Sequence, residues 1–443
     1  MSEKVKLREK LAYGAGDAGC NFVWTTISMF LILYYTDSVG LNPAVVGTIM
    51  MVTRLLDGVT DLGMGTIIDK TNSKWGKARP WILWSSVPLG IGLMLLFNVP
   101  NFLGYKGKIA YSVVTYIFVA AFAYTASNLS YNTLLSLITD DQKERTSISS
   151  IRFIFTVICA IILSFVTMPI VGKIGWGATS ILYGIIAICL LFITFKGTKE
   201  RYVPIKNKNE LKGGEAFKIL AKNKYFWFVT LIFIFNYAIM GITGGVGIYY
   251  TRDVMNNAGI FGLINLANFL PMLIGLFFFT PIANKFGKWK CMMFGYVIQL
   301  IGLFIMLISP ASASLVIIGT IFKGIGMIPH TAGLFAFVAD VVDYGEWKYN
   351  VRVDGLTYSA TSFGMKVGTG IGTAMVGWLL AAGNYNAKMD VQASSALFAM
   401  KSLYIYLPIA LIIISMIVFS FANIDKIYPS IISGLEERRK TGK

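Results

Sequence analysis

Three ionisable residues stand inside an apolar stretch, RLLDGVTDLGMG, at spacings of three and four. Arg54, Asp57 and Asp61 therefore share one face of a helix. A carboxylate at the centre of a membrane helix costs on the order of 2.5–3.5 kcal/mol, so such residues face a bundle interior and mark an ion or substrate pathway. Because Arg54 can neutralise one aspartate, this face is suited to a monovalent cation or a proton. The alternative is a buried ion-pair network that only holds helices together.

A second set of polar residues lies near the start of the chain. Asp17, Asn21 and Trp24 repeat at four and three, which places an acid, an amide and an aromatic ring on one helix face. Sugar hydroxyls need such polar partners, and an aromatic face covers the apolar side of a sugar ring. We expect Asp17 to lack a basic partner and therefore to serve a ligand. Asn21, like Asn128, either binds sugar or forms an interhelical hydrogen bond.

Composition places these faces in a membrane. The chain has 443 residues, of which 56% are hydrophobic and 14% charged, and its mean hydropathy is +0.66. These values indicate an integral membrane protein. The net charge of +17 comes mostly from short loops, so we assign it to topology and to contacts with anionic membrane lipids, not to nucleic acid.

The sequence offers little for catalysis or for a resident metal. It has one histidine and four cysteines without CxxC spacing, which excludes a zinc or histidine-relay site built from this chain alone. No nucleophile, base and acid form a recognisable set. We therefore expect no enzyme activity and no cofactor, with Na⁺ or H⁺ as the only ion involved.

Apolar runs predict twelve membrane helices in an all-α fold. The predicted spans lie near 11–36, 43–68, 81–99, 109–138, 150–172, 178–196, 226–250, 257–283, 291–309, 314–339, 356–382 and 402–423. Loops after even spans are rich in Lys and Arg, which predicts that both termini are cytoplasmic in a multi-pass protein of the cell membrane.

A weak internal repeat supports two halves. IDKTNSKWGK after the second span has an echo in IANKFGKWK after the eighth. We predict a six-helix bundle at 1–197, a cytoplasmic linker at 198–224, a second bundle at 225–425 and a cytoplasmic tail at 426–443. The tail is too short for an appended regulatory domain. Parallel repeats with a substrate site near the midplane are the architecture of the major facilitator superfamily.

Several long motifs carry a resemblance over essentially all twelve spans. They are YGAGDAGCNFVW, LYYTDSVGL, RLLDGVTDLGMG, SKWGKARPW, ADVVDYGEWKYNVRVDGLTYS and SFGMKVGTGIG. In order and spacing they resemble the glycoside-pentoside-hexuronide:cation symporters of the major facilitator superfamily. YGxGD in the first span and RxxGLTYS before the eleventh are more similar to glucuronide and xyloside permeases than to melibiose permease.

The resemblance implies a cation site. Its acids match Asp57 and Asp61, helped by Thr125 of the fourth span. Thr60 stands where melibiose permease has an asparagine. A hydroxyl can still ligate sodium, so Na⁺ and H⁺ both remain open as the coupling ion.

The resemblance also implies sugar-site residues. Arg152 matches the family's span-five arginine near the sugar. Lys366 matches the lysine of span eleven, and Ser362 lies four residues before it. Lys366 is expected to approach the acidic pair, where it serves either in coupling or as a structural counter-ion.

The sugar site departs from melibiose permease at three positions. Two sugar-binding carboxylates correspond to Asn21 and Asn128 here, and a tryptophan corresponds to Asn132, with Tyr131 beside it. An acid appears instead at Asp17. These departures imply a sugar other than melibiose.

A charged cluster at the cytoplasmic helix ends is expected to form gate salt bridges in the outward-open state and to part in the inward-open one, or else to be a solvated charge run. Its members are Arg145, Asp340, Asp343, Glu346, Lys348 and Arg352. Lys323, inside an apolar run, either attracts an anionic sugar or pairs with an acid.

The sequence thus predicts symport of a glycoside, pentoside or hexuronide with Na⁺ or H⁺ by alternating access. One alternative is a transporter of the same fold for another amphipathic solute, a drug or a lysolipid. The other is a sugar sensor that does not transport.

Overall fold

A computed structural model describes residues 5–202, 218 and 220–441 of the chain. Its first helices are long and lie close to the predicted spans. We number them α1 (Leu7–Ser38), α2 (Pro43–Lys70), α3 (Arg79–Leu96) and α4 (Tyr105–Ile138). Asn42 caps α2, because its side chain accepts a hydrogen bond from the Ala44 backbone N–H at 2.9 Å and Pro43 follows at the first helical position.

The next two spans form one continuous helical segment, Gln142–Gly197, with a break at Gly175. Gly175 has φ of +78°, which L side chains rarely adopt, so a glycine is required at this turn. We therefore treat the segment as two helices, α5 (142–174) and α6 (176–197).

The second half of the chain contributes six more spans and one short helix. These are α7 (Lys224–Val254), α8 (Ala258–Phe286), α9 (Lys288–Ile308), α10 (Ala313–Tyr349), α11 (Asp354–Ala382), α12 (Ser394–Ser420) and α13 (Tyr428–Thr441).

The number of spans agrees with the sequence. Ten helices in the described part of the chain are long and apolar enough to cross a membrane, and one of these contains both α5 and α6. The 28-residue α2, which carries Arg54, Asp57 and Asp61, completes twelve. Its length is about 42 Å at 1.5 Å per residue, which is enough to span a bilayer.

The chain divides into two compact units. The first contains α1–α6 together with Gly244–Asn265 and Thr373–Met400. The second contains the described residues of 207–243, Leu266–Gly372 and the described chain from Lys401 onward. One end of each of α7, α8, α11 and α12 therefore groups with the first six helices. The sequence boundaries at 197 and 225 describe order along the chain and stay a prediction.

Small residues let helices of the first unit approach closely. A side chain added at Gly47 of α2 would meet the Ala374 carbonyl oxygen at 2.7 Å, and one added at Gly377 of α11 would meet the Cα of Gly47 at 2.8 Å. Such close backbone contact is how small residues stabilise membrane helix pairs.

The loop before α3 is fixed by one carboxylate. The side chain of Glu200 accepts hydrogen bonds from the backbone N–H groups of Lys77, Ala78 and Arg79 at 2.7, 2.9 and 2.8 Å. A carboxylate at a helix N-terminus satisfies otherwise unpaired donors and interacts favourably with the helix dipole. This contact ties the start of α3 to the end of α6.

Candidate functional site: two polar clusters in the first unit

The first cluster surrounds Asp57 on α2. Thr125 Oγ1 donates to Asp57 Oδ1 at 2.7 Å, and Arg54 Nη1 lies 3.6 Å from Asp57 Oδ2. Asp57 is 2% exposed and Arg54 5%. Both carboxylate oxygens therefore have a partner, and Arg54 supplies the neutralising charge that the sequence predicted.

The other predicted cation-site residues lie beside this cluster. Thr60 Oγ1 donates to the Asp57 carbonyl oxygen at 3.1 Å, so its lone pairs remain available to a cation. Asp61, one turn further along α2, is half-buried. The structure places these side chains on the face that the helical spacing predicted, while their role as ligands stays a prediction.

A local irregularity in α4 positions Thr125. Residues Phe118–Tyr124 form a π-helical segment, after which the α-helix resumes at Thr125. The wider turn changes the rotation of every following side chain, and such segments occur frequently at functional sites. Spacing arguments that assume a regular helix could not predict it.

The second cluster is built around Asp17 on α1. Its Oδ1 accepts from Arg152 Nε at 2.8 Å, and its Oδ2 accepts from Asn21 Nδ2 at 3.0 Å and from the hydroxyl of Thr156. Asp17 is 2% exposed. The expectation that this acid lacks a basic partner is wrong, because Arg152 on α5 forms an ion pair with it.

A hydrogen-bonded chain continues from Arg152 to α4. Arg152 Nη1 donates to Asn132 Oδ1 at 2.6 Å, and Asn132 Nδ2 donates to Asn128 Oδ1 at 2.9 Å. The guanidinium also lies 5.1 Å from the ring centroid of Tyr131. The cluster therefore brings together predicted sugar-site residues from three helices, with acceptors, donors and an aromatic ring close to one another.

Sequence reasoning missed two members of this cluster. Thr156 follows Arg152 by one helical turn and faces the same way, so its spacing is the available signal. Asn132 stands where melibiose permease has a tryptophan, and its spacing of four from Asn128 is the available signal.

Trp24 lies between the two clusters. The guanidinium carbon of Arg54 is 3.5 Å from the centroid of the Trp24 ring, and the Tyr124 ring is 4.6 Å away. The half-buried indole therefore packs against a cation of the first cluster. The sequence predicts this ring as a sugar contact, which stays a prediction, and does not indicate its contact with Arg54.

Three predicted residues lie in the second unit. Ser362 and Lys366, on α11, are both half-buried. Lys323 on α10 is 6% exposed, and its Nζ lies 5.6 Å from the Tyr404 ring centroid. Among the residues that the structure describes, no acid forms an ion pair with Lys323, and its two suggested roles stay predictions.

Most of the predicted gate cluster lies at the end of α10. Arg352 Nη1 is 3.0 Å from Asp343 Oδ1 and 2.7 Å from Glu346 Oε2. The Tyr428 hydroxyl donates to Asp343 Oδ2 at 3.0 Å, and burial followed by the nearby acids raises the pKa of this tyrosine. Asp340 pairs with Lys288 of α9. These acids therefore have partners within the second unit.

Arg145 lies in the first unit and caps a helix end. Its Nε donates to the Thr139 carbonyl at 2.8 Å, and its Nη2 donates to the Ser136 carbonyl at 3.3 Å. Both contacts satisfy the last carbonyls of α4. Its role in gating stays a prediction.

A charged network that sequence reasoning missed lies at the opposite end of the first unit. Arg252 Nη1 is 2.6 Å from Asp37 Oδ2, and its Nε and Nη2 each lie 2.8 Å from the Asp253 carboxylate. Tyr385 accepts from Arg252 Nη2 at 2.7 Å and donates to Asp37 Oδ1 at 2.8 Å. The network joins the ends of α1 and α7 to the segment after α11.

The protonation of Tyr385 is fixed by its surroundings. Burial, followed by the neighbouring charge of Asp37, raises the pKa of Tyr385 above its ordinary value of 10.0. Since the folded-state pKa is raised, the contribution to stability is present below pH 10 and is lost only at strongly alkaline pH. Tyr385 therefore keeps its donor to Asp37 throughout the physiological range.

Replacing Tyr385 by phenylalanine is expected to destabilise this network. The change removes one hydrogen bond from Asp37 and one from Arg252, which costs about 1–3 kcal/mol. Thermal unfolding of the purified protein should show a lower midpoint. Tyr105→Phe is the control, because that side chain is 50% exposed and its hydroxyl only accepts a 3.4 Å contact from Asn42. Equal midpoints for the two variants would contradict the assignment.

Comparisons with known proteins identify the family. The model of the family described as "MFS/sugar transport protein" matches residues 12–426. The chain belongs to this family. The resemblance to glycoside-pentoside-hexuronide:cation symporters is thereby confirmed, and the protein is a multi-pass membrane protein with the all-α major facilitator fold.

Curated relatives extend over almost the whole chain. The isoprimeverose transporter of Lactiplantibacillus pentosus is 32% identical, over 97% of this chain and 91% of the relative. A putative glycoside/cation symporter of Escherichia coli is also 32% identical, over 92% and 90%. The glucuronide carrier protein homolog of Escherichia coli is 26% identical, over 99% and 98%.

Solved structures of distant transporters share the fold. The nucleoside transporter NupG has a TM-score of 0.63 at 16% identity, over 94% of this chain and 99% of that chain. A bacterial homolog of the human lysosomal transporter Spinster, inward-facing and occupied, has a TM-score of 0.65 at 12% identity, over 94% and 95%.

Proposed function

We propose that this protein carries a glycoside, pentoside or hexuronide into the cytoplasm together with Na⁺ or H⁺. The observation that carries the proposal is the pair of polar clusters in the first unit, built around the buried carboxylates of Asp57 and Asp17. One is suited to a monovalent cation and the other to a polyhydroxylated ligand. The relatives named as transporters or symporters of such compounds support the same assignment.

The coupling ion binds at the Asp57 cluster in this mechanism. The carboxylate is buried and is compensated by Arg54 at 3.6 Å, a longer distance than a strong charge-assisted hydrogen bond. A cation or proton at Asp57, with Asp61 and the hydroxyls of Thr60 and Thr125 nearby, lowers the cost of enclosing the acids in a dry state. The loaded protein can then pass through an occluded conformation.

The sugar binds at the Asp17 cluster. Asp17 and the amide oxygens accept hydrogen bonds from sugar hydroxyls, and Arg152 donates to sugar oxygens. The Tyr131 and Trp24 rings offer apolar contact. Because all these polar groups are already bonded to one another, a sugar has to replace those bonds with equally good ones, which favours ligands with a matching set of hydroxyls.

Alternating access then exposes the binding sites first to one side of the membrane and then to the other. The Asp37, Arg252 and Tyr385 network holds one end of the first unit together in this conformation. We place this end outside and both termini in the cytoplasm of the cell, in agreement with the basic loops. Transport requires these bonds to part when the protein opens outward. Cation and sugar transport are coupled because the two ligands together stabilise the occluded conformation, through which the protein passes between its outward-open and inward-open states.

Uptake by membrane vesicles tests the proposal. Xylosides and glucuronides, radiolabelled, are offered to vesicles containing the protein under an imposed Na⁺, Li⁺ or pH gradient, each separately. We expect accumulation above the external concentration under one of these gradients and none after an ionophore collapses it. Vesicles without the protein are the control.

Other outcomes favour the alternatives. Binding of sugar without accumulation under any gradient would favour a sensor. Transport of a drug or lysolipid with no response to sugars would favour another amphipathic substrate. Either result would overturn the proposed function.

A further inference from the structure

The contact between Arg54 and Trp24 connects the two clusters. Arg54 belongs to the helix of Asp57, and Trp24 belongs to the helix of Asp17 and Asn21. The guanidinium carbon lies 3.5 Å from the centroid of the indole ring, a distance at which a cation is attracted to the face of an aromatic ring. One side chain therefore contacts both the proposed cation acid and a residue of the proposed sugar face.

Arg54 competes with the coupling ion for Asp57. One carboxylate oxygen accepts from Thr125 at 2.7 Å, and the other faces Arg54 at 3.6 Å. An ion bound to Asp57 must share the second oxygen with the guanidinium, and like charges repel at this range. The closer Arg54 lies to Asp57, the weaker the ion binds.

The indole ring contributes to where the guanidinium lies. The 3.6 Å separation from Asp57 exceeds the 2.7–2.9 Å of a charge-assisted hydrogen bond. Within the described part of the chain, the buried Nε of Arg54 has no hydrogen-bond partner. The ring contact therefore helps to hold the guanidinium where it lies, and without the ring the guanidinium can move toward Asp57.

We propose that Trp24 and Arg54 form the coupling element between the two sites, a step that rests on the proposed function. The ring holds the guanidinium away from Asp57 and so weakens its competition with the ion. Sugar packed beside Trp24 stabilises the contact between the ring and the guanidinium. An ion bound at Asp57 keeps the guanidinium on the ring, which is the arrangement that binds sugar best. By linkage, the factor by which sugar tightens ion binding equals the factor by which the ion tightens sugar binding.

A double-mutant cycle tests this coupling element. The affinity of the purified full-length protein for the ion that drives uptake is measured without sugar, by calorimetry for Na⁺ or Li⁺ and by a proton-release titration for H⁺. The variants are Trp24→Phe, Trp24→Met, Trp24→Leu, Arg54→Gln and the double change Trp24→Leu with Arg54→Gln. We expect Trp24→Leu to weaken ion binding by about 3- to 30-fold, the range that a cation–π contact provides.

The pattern across the variants distinguishes coupling from packing. Trp24→Phe retains an aromatic face and should keep most of the affinity, whereas Trp24→Met, which fills space without a π system, should behave as Trp24→Leu. In the Arg54→Gln protein, Trp24→Leu should have no further effect, since no guanidinium remains to be held. Equal losses with and without Arg54, or tighter ion binding by Trp24→Leu, would overturn the inference.

Failure of this inference can be distinguished from failure of the proposed function. If the wild-type protein accumulates sugar under a cation gradient but the cycle is additive, only the coupling element is refuted. If the wild type shows no cation-dependent accumulation, both are refuted. Should Arg54→Gln fail to insert, the ion affinities of the Trp24 variants that retain Arg54 still decide the question. We expect the affinity to fall in the order Trp, Phe, then Met and Leu, because a purely structural role would not separate Phe from Met in ion affinity.

Discussion

Asp57→Cys is expected to abolish concentrative uptake while the protein still inserts into the membrane. The thiol removes the negative charge that the proposed ion needs, and it leaves Arg54 as a buried cation without its acid partner. Sugar inside vesicles should then rise no higher than the external concentration under any imposed gradient. Exchange of labelled for unlabelled sugar, which needs no net ion movement, should persist.

An exposed acid provides the control for this change. Asp390 lies in the loop between α11 and α12 and is exposed, so Asp390→Cys should accumulate sugar as the wild type does. Membrane content of each variant is measured by immunoblot. Normal accumulation by Asp57→Cys at normal membrane content would refute the role of Asp57.

Asp17→Asn is expected to cause the second large loss, in sugar binding instead of ion coupling. Asp17 accepts from Arg152, Asn21 and Thr156 while only 2% exposed. In the proposed site the Asp17 carboxylate accepts hydrogen bonds from sugar hydroxyls, and a hydrogen bond to a charged group contributes about 1.5–3 kcal/mol. Sugar affinity should therefore fall by about 10- to 100-fold. Ion binding without sugar should change little.

Sugar-dependent protection against thermal unfolding measures this effect, because a ligand that binds only the folded protein raises the unfolding midpoint. Glu144→Gln is the control, since Glu144 pairs with Lys10 at 2.8 Å outside the proposed sugar site. Glu144→Gln should keep the protection by sugar, and Asp17→Asn should lose it. Sugar affinity retained by Asp17→Asn would contradict the proposed site.

Features that depend on neighbours along the chain could be predicted from sequence. Apolar runs, with a few charges allowed, predict twelve spans, because membrane insertion depends on the composition of about 20 consecutive residues. Every one of these spans except α2 lies in a described helix that is long and apolar enough to cross a membrane. Helical spacing placed Arg54 and Asp57 on one face because the two residues are less than one turn apart. The family resemblance added Arg152 and Thr125, which no local pattern indicates.

Pairings between distant residues could not be predicted in this way. Asp17 was expected to stand alone, yet it pairs with Arg152, which is 135 residues away in sequence. Asp37 and Tyr385 are separated by 348 residues, and nothing in either segment indicates the other. The π-helical segment before Thr125 changes the direction of that side chain without a recognised sequence signal.

The sequence by itself determined the membrane class, the number of spans and the helix faces that carry charge, because these follow from hydropathy and a fixed helical period. The tertiary structure decided which charges neutralise one another. It paired Arg152 with Asp17, and it placed Arg54 between Asp57 and Trp24. The physical reason is that a buried charge is stabilised by whichever opposite charge or aromatic face the helix packing brings within a few ångströms, and that packing is set by the whole chain.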